Sequence, residues 1–183
     1  MYKKITLLLV FCSLCAIGQE KNQATSKLES LLTWTHLIDR VIEDAKGKHF
    51  DFTHISHRIK EGSMILIDSI NGAQVEIGSG AFTTDTYKDK NTNKIIKSSH
   101  SDVIDYNENA ASDLKGKIER LKIDIYYDNE KPVFATYLKL IKRNKKIINR
   151  EFYYVQLDAD DPSQKEVREY ILRLSKDQIA HKR

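Results

Sequence analysis

An α+β fold is predicted for this chain: one long N-terminal helix, an antiparallel sheet of about six to seven strands built as a hairpin plus a meander, and a C-terminal helix. Three observations point to it. Apolar residues recur at helical spacing near both ends, from Leu28 to Ile42 and from Val167 to Leu174. Asn71-Gly72 lies between two β-rich runs, and this pair favours a two-residue hairpin loop because both residues tolerate positive φ. From Ile118 to Leu157, three more runs rich in β-branched and aromatic residues are separated by turn formers.

The chain begins with an address. Lys3 and Lys4 precede a short apolar run, Ile5 to Ile17, and Ala16-Ile17-Gly18 puts small residues at the two positions a signal peptidase reads. A spanning helix needs about 20 apolar residues, so cleavage after Gly18 is expected, with export to the periplasm or beyond and no integral membrane segment left. A lipoprotein signal would need a small residue before its cysteine, whereas Phe11 precedes Cys12 and Leu14 precedes Cys15. The expected organisation is a leader over residues 1–18, a flexible lead-in over 19–25, and one α+β domain over 26–183.

Cleavage at Gly18 removes both cysteines and two lysines, and leaves 165 of the 183 residues. The mature chain is then cysteine-free, which excludes a disulfide framework, a thiol nucleophile and thiolate metal sites. Its formal charge falls from +4 to +2, so global charge does not argue for nucleic acid as a partner. No repeat or Pro-rich linker divides it.

Ser26-Lys27-Leu28-Glu29 reads as a capping box opening a helix over roughly Lys27 to Lys46, with Gly47 at its end. Leu28, Leu31, Leu32, Ile38, Val41 and Ile42 form its stripe, widened by Trp34 and Leu37. The hairpin around Asn71-Gly72 joins Met64–Ile70 to Ala73–Gly78, with Ile70 opposite Ala73, Asp68 opposite Val75 and Leu66 opposite Ile77. Ala81–Lys88 and Lys94–Ser99 are candidates for a second hairpin. Ser101–Gly116 is weakly patterned and reads as a loop.

In the meander, Tyr127 opposite Pro132 would place Leu121, Ile123 and Ile125 on a core face with Phe134, Thr136 and Leu138. The other face would then carry Tyr126 and Tyr137 together. Loops of two and three residues around Asn144 put opposite sides of Phe152-Tyr153-Tyr154 on the core, so that register is open. Asp161 as N-cap and Pro162 at the first helical position begin the last helix.

The segment Ile125-Tyr126-Tyr127-Asp128-Asn129-Glu130-Lys131-Pro132-Val133-Phe134, followed by Arg150-Glu151-Phe152-Tyr153-Tyr154, resembles a meander of small exported proteins of Bacteroidetes. So does the leader, with Gln19 after its cleavage site. The resemblance covers about 35 residues plus the leader. It implies an exported, non-enzymatic domain and brings no catalytic residue with it. Glu130 stands where that turn often has glycine.

Candidate sites are few. His49, His54 and His57, with Asp51, form the one histidine cluster, but the spacing fits no zinc signature. Asp158, Asp160 and Asp161 lack the glycine and later ligands of a calcium loop, and capping accounts for Asp161. Lys142, Arg143, Lys145 and Lys146, beside Lys139 and Arg150, make a basic hairpin suited to a polyanion, or to keeping a strand edge from aggregating. Tyr126 and Tyr137 are the candidate ligand residues, since tyrosine joins an apolar ring to a polar tip. No catalytic residue, metal or cofactor is assigned. The expectation is an exported binding or interaction module for a cell-envelope ligand or protein. An envelope hydrolase or metal-dependent enzyme and a polyanion binder are the alternatives.

Overall fold

The computed structural model describes the backbone of residues 2–159 and 161–180 and the side chains of residues 25–159 and 161–177. The side chains of residues 1–24, which include the expected leader, those of residues 178–180, and all of Asp160 and His181-Lys182-Arg183 lie outside the described residues. Helix α1 (Tyr2–Gly47) leads to a 3-10 turn at Phe50–Phe52 and six strands: β1 (Ile55–Ile70), β2 (Ala73–Asp89), β3 (Ile95–Tyr106), β4 (Lys117–Asp128), β5 (Lys131–Arg143) and β6 (Lys146–Gln156). A 3-10 turn at Pro162–Gln164 opens helix α2 (Lys165–Ala180). The strands form one antiparallel sheet in chain order, β1 to β6, so the fold is α+β. No described helix is long and apolar enough to cross a membrane.

The chain divides into two compact units, Met1–Val41 and Ile42–Arg183. The first is α1 up to Val41. Its backbone is already helical through Gln19–Thr25, so Ser26 and Glu29 are interior residues rather than a capping box. Their carbonyls accept bonds from Ser30 Oγ and Thr33 Oγ1, each at 2.9 Å. The preceding Gln19-Glu20-Lys21-Asn22-Gln23-Ala24-Thr25 holds no glycine or proline to stop the helix. Leu37 and Val41, expected on the buried stripe, are exposed.

The second unit contains the sheet. Its strands are longer than expected. β2 runs unbroken through Gly78-Ser79-Gly80, Ile55–Ser63 extends β1, and Ser101–Tyr106 completes β3 rather than forming a loop. Gly80 is needed where it stands: a Cβ there would lie 2.3 Å from the Val103 carbonyl oxygen of β3.

Three hairpins turn on two residues with positive φ: Asn71-Gly72, Asn129-Glu130 and Asn144-Lys145, the type I′ pattern that matches strand twist. Glu130 and Lys145 occupy a conformation that glycine adopts without strain and that costs an L-residue about 1–2 kcal/mol. Exposed Lys145, at φ 64°, gives a direct test. Lys145→Gly is expected to raise stability by about 1 kcal/mol, read from the urea midpoint; an unchanged or lower midpoint would contradict the turn.

Each of these hairpins carries a bulge within a few residues of its turn, and the bulges set the register. Ile70 pairs with Ala73 and Asp68 with Val75, but Leu66 then meets Gly78 instead of Ile77. Tyr127 pairs with Pro132, yet Tyr126 pairs with Phe134, leaving Val133 as the extra residue. Ile123 therefore faces Tyr137, and Ile125 faces Ala135. The expected core face with Phe134, Thr136 and Leu138 is corrected by that one residue, and Tyr126 and Tyr137 lie on opposite faces of the sheet. In β6 the two-residue loop plus a bulge puts Tyr153 opposite Tyr137 and Val155 opposite Ala135.

On one face α2 covers an apolar cluster. Ile95, Leu121, Ile123, Ile125, Tyr127, Ala135, Tyr137, Val155 and Leu157 form a buried cluster with Ile171, and Val167, Tyr170 and Leu174 pack against it. Asp161 caps the opening turn through its carboxylate, which accepts from the Ser163 N–H at 2.9 Å and hydroxyl at 2.7 Å. Those bonds hold its carboxyl below the usual range. The opposite face has its own smaller core around Tyr87, Tyr126 and Phe134. There Lys46, in the last turn of α1, lies 5.8 Å from the Tyr87 ring centre.

Candidate functional site

The two faces differ in chemistry. On the α2 face the apolar cluster gives way to a polar seam drawn from four strands. Thr84 is in register with His100, and His100 with Ile123. The Thr84 hydroxyl and His100 Nδ1 are 2.9 Å apart, and His100 Nε2 is 3.5 Å from Asp102. Lys139 pairs with Glu119 at 2.8 Å. Tyr106, Tyr137 and Tyr170 surround these charges, and each phenol is raised in pKa, Tyr137 to about 12. Burial is the main cause in all three; the Glu151 and Glu119 carboxylates add to it at Tyr137. Burial works to lower Lys139, but the Glu119 hydrogen bond and charge outweigh it and the ammonium is raised.

Hydroxyl, imidazole and carboxylate stand in the order of a hydrolytic triad. The geometry does not complete one. The imidazole–carboxylate separation of 3.5 Å is long for a hydrogen bond, and Thr84 is buried in mid-strand. Sequence reasoning missed the seam because its members lie up to 55 positions apart, from Thr84 to Lys139. Only the register brings them together.

The open face holds a groove of about 310 Å³, lined by Ser101, Val103, Arg120, Lys122, Leu138 and Leu140, with Asp102 and Leu121 between them in β3 and β4. Two register rows define it. Val103, Arg120, Leu140 and Arg150 follow one another across β3, β4, β5 and β6. Ser101, Lys122, Leu138 and Phe152 form the next row. Beside them Asp124 is shared by Lys97 at 3.7 Å, Lys122 at 3.6 Å and the Ser99 hydroxyl. Neither Arg120 nor Arg150 makes a hydrogen bond or ion pair among the described residues. Val103, Phe152 and Tyr154 are exposed along this surface.

The sequence-derived candidates fall elsewhere. Tyr126 and Tyr137 are 3% and 8% exposed; Tyr126 packs under Lys97 at 4.9 Å and near Phe134, while Tyr137 meets Tyr153. They do not share a ligand surface. Arg143 is occupied by the carbonyls of Ser112, Asp113 and Lys115, the last at 2.9 Å. Lys145 and Lys146 stay exposed at the turn, and Lys142 is half-buried on the open face.

His57 pairs with Asp85 at 2.7 Å and stacks on Tyr87 at 4.7 Å. His49 precedes the 3-10 turn with φ 57°, and His54 is exposed ahead of β1. Among the described residues no three His, Cys, Asp or Glu side chains are placed to hold a metal ion. Comparison of the chain with protein-family models, curated proteins and solved structures finds no match.

Proposed function

We propose that the protein is an exported, non-enzymatic binding module that takes its ligand on the open face of the sheet. The observation carrying this reading is the asymmetry of the two faces. α2 packs on the apolar cluster at the centre of one face, while the other keeps a groove beside exposed Val103, Phe152 and Tyr154. Exposed apolar patches with polar rims are characteristic of interaction sites. Export is supported by the layout of Met1–Gly18.

Two measurements test the reading. The intact mass of protein recovered from the cell envelope is expected to lack residues 1–18; a full-length mass would remove export. The folded protein is expected to bind 8-anilinonaphthalene-1-sulfonate saturably, with affinity cut at least fivefold by Leu140→Asp. Phe152→Ser, at a side chain already 46% exposed, provides the same test at a position that carries little of the core. Dye binding unchanged in both variants would overturn the assignment of the open face.

A further inference from the structure

We propose that the groove binds a single-chain anionic amphiphile, with its carboxylate or phosphate between Arg120 and Arg150 and its chain over Val103, Leu138, Leu140 and Phe152. The inference rests on the open face being the ligand surface and adds the chemistry of the ligand.

Charge and register carry it. Arg120 and Arg150 flank Leu140 on the strands either side. Neighbouring strands are about 4.8 Å apart, so their backbones stand about 10 Å from each other, within reach of two long side chains closing on one anion. A guanidinium presents five donors in a fork that matches carboxylate and phosphate, and these two have no partner among the described residues. The nearest carboxylates in register do not use them. Asp124 serves Lys97, Lys122 and Ser99, Asp102, which also lines the groove, faces His100 on the other side of the sheet, and Asp105 lies one row further along β3 opposite Ile118.

The apolar half of the ligand follows from the adjoining row. Leu138 lies between Lys122 and Phe152, which continues the floor of Leu140 and Val103 away from the arginines. A headgroup anchored at the arginines would therefore lead its chain along Leu138 and Phe152. At about 310 Å³ the groove falls at the small end of ligand cavities, which span about 300–1,000 Å³.

The test is displacement of 8-anilinonaphthalene-1-sulfonate by three probes of equal chain length: dodecanoate, dodecanol and dodecylammonium, all below their micelle concentrations. Dodecanoate is expected to displace the dye at least tenfold more effectively than either other probe. Arg120→Gln combined with Arg150→Gln is expected to erase that preference while leaving dodecanol unchanged; both positions are exposed, and circular dichroism checks the fold. Equal displacement by the three probes would overturn the anionic ligand and leave the open-face reading intact. Failure of all three, together with dye binding indifferent to Leu140→Asp, would overturn both. Binding confined to phosphatidylglycerol vesicles or to heparin would overturn the monomeric amphiphile in favour of a surface or a polyanion.

Discussion

Phe134→Ala is expected to cost about 3–5 kcal/mol, and Leu138→Ala about 1 kcal/mol, as shifts of the urea midpoint at constant slope. Phe134 is fully buried and its ring lies about 6 Å from those of Tyr126 and Tyr154. Its loss opens a cavity on the face opposite α2. Leu138, two pairs along the same face of β5, is only half-buried because it lines the groove, so truncation removes contacts without leaving a closed void. Ile123→Ala, a fully buried position beneath α2, should fall in the usual range of about 2–5 kcal/mol. The contrast reads the register directly. Had β4 and β5 paired without the bulge at Val133, Leu138 would share the α2 core with Ile123 and cost as much as Phe134. Equal losses at Phe134 and Leu138 would refute the observed pairing.

That bulge also marks what the sequence can and cannot carry. The turns were legible. Asn71-Gly72 and the runs flanking Asn129 and Asn144 locate three hairpins, because positive φ selects a small set of residues. Asp161 and Pro162 locate the start of the last helix for an equally local reason. Bulges depend on how a whole ladder twists and packs, and a single extra residue reverses every later side chain. The expectation for Tyr126 and Tyr137 failed there, although the pair Tyr127–Pro132 from which it was reasoned is present. The start of α1 failed for a different reason. Ser26 and Glu29 satisfy a capping pattern, but nothing before them breaks a helix, and propagation is cheaper than a new nucleus.

The groove was illegible for a third reason. Arg150 reads in the sequence as one charge of the basic hairpin, nothing there joins it to Arg120 or Leu140, and only the row across three strands makes them one site. The α2 face shows the same rule with the opposite outcome. In the seam the charges already have partners, His100 with Asp102 and Lys139 with Glu119. What separates a candidate ligand surface from a structural network here is whether the charges already have partners.

Above pH 10 the fold is expected to lose about 3 kcal/mol through Tyr127 alone. Its ring is 3% exposed, with its hydroxyl 3.2 Å from Ser98 Oγ. Burial pushes the phenol up to about 12, against an opposing effect of the Ser98 hydrogen bond, whereas the unfolded chain titrates near 10. A group whose pKa is raised in the folded state contributes fully below the unfolded value. Its contribution is lost as pH rises from about 10 to about 12, because the unfolded chain releases its proton first. Tyr127→Phe removes this dependence. Its stability should fall by about 1 kcal/mol at pH 7, from the lost hydroxyl contact, and then decline less steeply than the parent across pH 10–12. Absorbance at 295 nm checks the cause independently: Tyr127 and Tyr137, both raised to about 12, should ionise late, and the variant should lose one of those two late phenols. Parallel decline of parent and variant, or ionisation of every tyrosine near 10 while the chain stays folded, would place Tyr127 outside the apolar cluster that α2 covers.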